Sequence, residues 1–265
     1  MACGKGAGMN RVPLLNALGR LPPFALKWLW PARFVLYGHL VSDRKDCMAA
    51  QRYRYPNFAE FERFRALAEQ LEYRFVTLEE YASGAFPRMI LMTFDDGFFE
   101  VKEFHRRTEL PLVLFVVSAA LDNEAFGLGV FQPRRSAFLS REDILQLKQS
   151  GVHIGFHTRT HKKIRTLADL ENECNAPPHF ADLLSAPLCF AYPFEGPADY
   201  RPVTAVLLEA GYSWVFDTKF RTGSDGQHIF RIPMDRAHTD AVDNPIIANV
   251  LQARLAELKR AWRWK

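Results

Sequence analysis

Two clusters of ionisable residues in this 265-residue chain have types and spacing suited to chemistry. The first is Asp95-Asp96-Gly97, which leaves the apolar run at residues 89–94. Adjacent carboxylates at the end of a buried strand repel each other and lose hydration, so they need a partner. A divalent cation is one such partner, and proton transfer is one reason to keep the other carboxylate charged. The second cluster is His157 and His161, spaced i, i+4 after the apolar run at 152–156. In a helical turn or a tight loop this spacing aims both imidazoles at one point. Zinc takes nitrogen and carboxylate ligands at ~2.0–2.2 Å and in catalytic sites keeps a position open for water. Two histidines and an aspartate would make such a set. Taken singly, each cluster also has a plainer reading: a turn with solvated carboxylates, or a histidine pair capping or flanking a helix.

The elements that must position these groups alternate along the chain. Short apolar runs at 34–37, 74–76, 89–94, 112–117, 152–156, 188–192, 212–216 and 229–232 read as strands. Between them lie helical stretches. Asn57 and Glu60, and again Thr77 and Glu80, have capping-box spacing. Phe58, Phe61, Phe64, Leu67 and Leu71 recur at helical period. Ser140 opens a helix that Gly151 ends, and Asn244-Pro245 opens the last one. Strand and helix alternate about seven times with no internal repeat, which predicts a parallel sheet with helices outside it. The fold class is therefore α/β, a single-domain distorted (β/α) barrel of about seven parallel strands. Residues 1–32 are expected to be an N-terminal extension, 33–242 the barrel, and 243–265 a C-terminal helix packed on it. The polar chemistry follows strands: His39, Asp95 and Asp96, His157 and His161, and Tyr192-Pro193-Phe194. Residues that follow barrel strands sit on the catalytic face.

Composition narrows the setting. The chain is 48% apolar and 24% charged, with a net charge of +4. No basic run interleaves with aromatics through the body of the chain, so nucleic acid is not an expected partner. Cys3, Cys47, Cys174 and Cys189 form no C-x-x-C pair, and free thiols in a reducing compartment are expected. Residues 21–40 are apolar but broken by Pro22, Pro23, Lys27, Pro31 and Arg33, short of the roughly 18 uninterrupted residues of a spanning helix. The start of the chain does not read as a signal peptide, and a cytoplasmic location is expected. The stretch 24–30 combines Trp28 and Trp30 with Lys27. It reads either as a segment that caps the barrel or as a peripheral contact with a membrane face.

Thr93-Phe94-Asp95-Asp96-Gly97 resembles the first motif of the polysaccharide deacetylases, the NodB-homology family (carbohydrate esterase family 4). His157-Thr158-Arg159-Thr160-His161 resembles the second, H-[ST]-x-x-H. The resemblance runs from about Phe34 to Ile232. It implies that Asp96, His157 and His161 bind one divalent metal ion, with zinc expected, and that Asp95 is the general base. The third motif, R-x-P-[YF], departs: Ala191-Tyr192-Pro193-Phe194 has alanine where the arginine that orients the base would stand. Tyr192 and Phe194 are candidate substrate-binding residues that would flank a sugar ring, or else core residues at a strand end. The Tyr192 amide is a candidate oxyanion donor, since Pro193 has no N–H. The late L-x-H motif has no clean copy. Leu36-Tyr37-Gly38-His39-Leu40-Val41 resembles the Y-H-x-V of a subgroup whose acid histidine follows the first strand, with Gly38 extra, and Arg231-Ile232-Pro233 resembles that subgroup's tail. His39 is thus the favoured general acid and His238 the alternative. Asp217 and Asp235 are candidates for its acidic partner.

The resemblance implies metal-dependent hydrolysis of an N-acetyl or other acyl amide on a sugar. The expected substrate is a carbohydrate: a surface-polysaccharide precursor, a lipid-linked sugar or an oligosaccharide. Two other readings stay open, an amidase or deformylase acting on a small substrate, and a sugar-binding scaffold that has lost catalysis along with the motif arginine.

Overall fold

The computed structural model describes residues 12–45, 54–122, 137–235 and 243–262. His238, Cys3, Cys47, most of the glycine-containing stretch 122–137 and the last three residues of the basic C-terminus lie outside them.

Among the described residues, nine strands form one sheet: β1 (Arg33–Gly38), β2 (Arg74–Phe75), β3 (Met89–Phe94), β4 (Leu112–Val116), β5 (His153–Phe156), β6 (Cys189–Ala191), β7 (Trp214–Asp217), β8 (Ser224–Asp225) and β9 (His228–Pro233). Parallel pairing runs β1-β3-β4-β5-β6-β7-β9, and β1 pairs with β9, so seven parallel strands close into a barrel. β2 adds to the start of β3, and β8 folds antiparallel onto β9 in a short hairpin that the apolar pattern did not reveal.

The seven barrel strands are largely buried on both faces, as a barrel wrapped by helices requires. One parity (Phe34, Leu36, Ile90, Met92, Phe94, Phe190) joins the outer core under the helices. The other (Val35, Met89, Leu91, Val113, Phe115, Cys189, Ala191) fills the barrel interior. This parity decides which side chains reach the site.

Local chemistry sets the helix ends. Asn57 and Glu60 form a reciprocal capping box at the helix Phe58–Gln70, and Thr77 and Glu80 form one at Leu78–Ser83. Gly84 ends the second helix at φ +70°. The N-terminal segment contains two short helices. Val12–Gly19 packs along the final helix, Pro245–Trp262, with Arg20 paired to Asp243 at 2.6 Å. Pro23–Leu29 buries Leu26 and, just beyond its end, Trp30 against Phe34, Phe64 and Tyr73, while Phe24 and Trp28 face outward. Among the described residues, no helix is long and apolar enough to cross a membrane.

Candidate active site

Asp95 and Asp96 are delivered by β3, whose six residues are all buried. The chain then turns sharply, with Asp96 at φ +72° and Gly97 at +79°. Positive φ is uncommon for a residue with a Cβ. Of the seven described non-glycine residues in that region, four lie here: Asp96, Thr158, His161 and Phe194. Such strain persists only where surrounding structure enforces it, and it concentrates at functional sites.

The loop after β5 carries both histidines. His157 Nδ1 lies 3.0 Å from the Ala191 carbonyl, so Nδ1–H donates there and Nε2 faces inward with its lone pair. Glu173, itself buried, receives the Thr160 amide at 2.8 Å and the Thr160 hydroxyl at 2.5 Å. The Thr158 hydroxyl receives the His161 amide at 3.0 Å. Held this way, His161 Nε2 is 3.1 Å and His157 Nε2 3.4 Å from the same oxygen, Asp96 Oδ1. The three ligand atoms lie within 4.8 Å of one another and all three residues are buried. Two imidazole nitrogens facing one carboxylate oxygen form a donor set that fits a divalent cation. Burial works against the charge on Asp96, but the imidazoles of His161, His157 and His39 outweigh it and hold its carboxyl well below the usual range.

Asp95 points into the barrel. Arg231 comes from the inward-facing parity of β9 and sits level with Val35 and, through β1, with Leu91. Its long side chain rises along the interior past Thr93, with Nη1 3.2 Å from that hydroxyl. It ends on Asp95, with Nη1–Oδ1 at 2.6 Å and Nη2–Oδ2 at 2.9 Å, and both residues are buried. The guanidinium also lies over the Tyr37 ring at 4.8 Å and the Phe115 ring at 5.4 Å. Asp95 is therefore fixed in rotation by a fork that only arginine provides.

His39 lies beside the candidate metal-ligand set, next to the second oxygen of Asp96. Its Nε2 is 3.8 Å from Asp96 Oδ2, and its Nδ1 bonds Asp235 Oδ2 at 2.5 Å. Gly38 explains the approach: a Cβ there would stand 2.8 Å from Met234 Cε and 3.3 Å from Asp235 Oδ1. Burial opposes a charge on His39. The Asp235 carboxylate, with Asp96 and Asp95 behind it, more than offsets this and raises His39 to about 9.

No family model matches this sequence, and no curated protein matches it. Solved structures do. IcaB from Ammonifex degensii is similar with TM-score 0.56 and 20% identity, over 84% of this chain and 97% of that one. A polysaccharide deacetylase from Bacillus cereus gives 0.60 and 18%, over 84% and 69%. A de-N-acetylase from Aggregatibacter actinomycetemcomitans gives 0.56 and 14%, over 75% and 93%. This is the polysaccharide deacetylase fold.

On that deacetylase fold, the sequence-predicted residues come together unevenly. Asp95, Asp96, His157, His161 and His39 converge in one cluster, all buried but the half-buried His39. Tyr192 does not join them. Ala191 faces the barrel interior, so Tyr192 takes the opposite parity and is fully buried in the outer core against Phe190. Its ring has no face to offer a sugar, and its amide donates to the Phe216 carbonyl at 3.0 Å, so it cannot serve as an oxyanion donor either. Phe194 lies at the surface beside them: the residue is 51% exposed and its ring is centred 4.9 Å from that of His161. Of the two carboxylates considered for the acid histidine, Asp235 is on His39, whereas Asp217 bonds His228.

Arg231 is the residue whose role sequence reasoning missed. It answers the absence at Ala191 from a strand 40 residues further on. Its signal was an arginine inside the otherwise apolar Ile229-Phe230-Arg231-Ile232, at a position that period-2 alternation turns inward. A buried arginine requires a carboxylate.

Proposed function

We propose that the chain is a metal-dependent hydrolase that removes an N-acetyl group from a carbohydrate. The observation that carries this reading is that two groups able to move protons lie within about 4 Å of the candidate ligands, each held by its own partner: Asp95 by the buried Arg231 and His39 by the half-buried Asp235. That is the arrangement amide hydrolysis needs, because one proton must leave the attacking water and another must reach the departing amine.

Asp96, His157 and His161 would hold the cation, with zinc favoured by the two-nitrogen, one-carboxylate set. When bound, it would polarise the scissile carbonyl and make water more acidic. Asp95 accepts the proton of the attacking water, and the Arg231 fork fixes the direction of its lone pairs. His39, charged through Asp235, gives its Nε2 proton to the amine nitrogen as the C–N bond breaks. Phe194 offers an exposed aromatic face beside His161 against which the apolar side of a pyranose can lie.

The fold's relatives support a carbohydrate substrate, and the net charge of +4 suits an anionic one such as a nucleotide- or lipid-linked precursor. The buried free thiols of Cys174 and Cys189 support a reducing, cytoplasmic setting, and exposed Phe24 and Trp28 support a peripheral membrane contact.

The reading is tested by incubating zinc-loaded protein with N-acetylglucosamine oligosaccharides, N-acetylated nucleotide sugars and small N-formyl amides. Acetate release from a sugar is expected. Turnover of the N-formyl amides alone would replace it with the deformylase reading.

A further inference from the structure

The loop that carries Phe194 is gripped by three consecutive residues at the end of β7. Asp217 Oδ1 accepts the Gly196 amide at 3.0 Å. The Thr218 hydroxyl donates to the Phe194 carbonyl at 2.7 Å. Lys219 Nζ donates to the Pro197 carbonyl at 2.5 Å. These bonds hold Phe194 at φ +62°, a conformation its Cβ disfavours. Gly196 permits the close approach, since a Cβ there would lie 2.8 Å from Asp217 Oδ2 and 3.0 Å from Tyr192 Cδ2.

Asp217 is itself fixed from behind. It is fully buried, and its second oxygen lies 3.2 Å from His228 Nε2. With Nε2–H donating to Asp217, His228 Nδ1 accepts from the Thr204 hydroxyl at 2.8 Å. Tyr200 stacks on His228 at 4.0 Å, and Lys219 lies over Tyr200 at 4.5 Å. Burial disfavours the Asp217 charge, but His228 and the Gly196 amide outweigh it and hold the carboxyl below its usual range. Neither Asp217 nor His228 has a part in the proton transfers described above.

We propose that Asp217, Thr218 and Lys219, braced by His228 and Thr204, form a clasp that positions Phe194 for substrate beside the site. This rests on the deacetylase reading. The clasp residues are positioning residues: they act through Phe194 and touch no reacting atom. The strain at Phe194 and the buried brace then have one purpose, to present an aromatic ring at a fixed height beside His161.

A double-mutant cycle on the zinc-loaded chain tests this, with hydrogen exchange at the Gly196 amide as a readout that needs no turnover. Asp217→Ala and Phe194→Ala are each expected to lower kcat/KM roughly tenfold, and the double variant no further than either alone. Gly196 protection should fall in Asp217→Ala. Losses that multiply in the double variant, or an Asp217→Ala enzyme with wild-type kcat/KM, overturn the proposal. If Asp217→Ala does not fold, Thr218→Val runs the same cycle and is judged on kcat/KM, since it leaves the Gly196 bond to Asp217 in place. Unchanged Gly196 exchange in Asp217→Ala overturns the clasp whatever the enzyme does, whereas a wild-type protein that releases no acetate from any N-acetylated sugar overturns the deacetylase reading beneath it.

Discussion

Arg231 and Asp95 meet inside the barrel through two parallel hydrogen bonds of 2.6 and 2.9 Å, although 136 residues separate them. A lysine there keeps the charge and loses the fork. Arg231→Lys is expected to fold and to bind zinc with unchanged stoichiometry, while kcat falls on the order of 10²-fold through misdirection of the base. Arg231→Met should be worse in a different way. It leaves Asp95 buried without its partner, and loss of one partner of a buried pair costs about 3–5 kcal/mol. Steady-state kinetics, metal content and urea unfolding of the two variants check this, and a Lys variant with wild-type kcat would remove the orienting role.

If His39 is the general acid proposed above, the His39–Asp235 pair should set the alkaline side of the pH profile. A histidine raised to about 9 is charged at neutral pH and loses its proton as pH rises through that value. Activity that depends on His39 as acid is therefore present below the folded pKa and lost above it. Asp235→Asn removes the largest raising influence, so the alkaline limb of kcat against pH should move to lower pH. An alkaline limb that stays in place would assign it to another group.

Metal binding should couple to stability, because Asp96, His157 and His161 converge only in the folded chain. Zinc at a thousandfold excess over Kd adds about 4 kcal/mol to the folded state. A chelator should lower the unfolding temperature of wild-type protein, and Asp96→Asn should abolish that response. Identical scans of wild type with zinc and with chelator would contradict the ligand assignment.

Phe194→Ala removes an exposed ring from beside His161 and leaves the metal ligands in place. Oligosaccharide affinity should fall roughly tenfold, with zinc stoichiometry unchanged. Tyr192→Phe, in contrast, alters only a buried outer-core residue and should bind sugar like wild type. Calorimetric titration of both variants separates the two aromatics.

How far the sequence carried this depended on range and parity. Asp95, Asp96, His157 and His161 were legible because their spacing is local and each pair follows an apolar strand. The barrel was legible from alternating strands and capped helices. Arg231 was not assigned a role, because its partnership depends on β9 closing against β1, a pairing that no local pattern encodes. Tyr192 failed for the opposite reason. Its motif neighbours drew it toward the site, while strand parity, with Ala191 inward, places it under the helices. His39 lies beside the cluster despite the extra Gly38, whose missing side chain leaves room for Asp235 to reach it.

The most direct test of the central claim compares acetate release by zinc-loaded wild type and Asp95→Asn on N-acetylglucosamine oligosaccharides, with metal content measured on the same samples. Both proteins are expected to hold one zinc. Wild type should release acetate, and Asp95→Asn should do so about 10²–10⁴-fold more slowly. No release by wild type, or equal release by the two, would contradict the account.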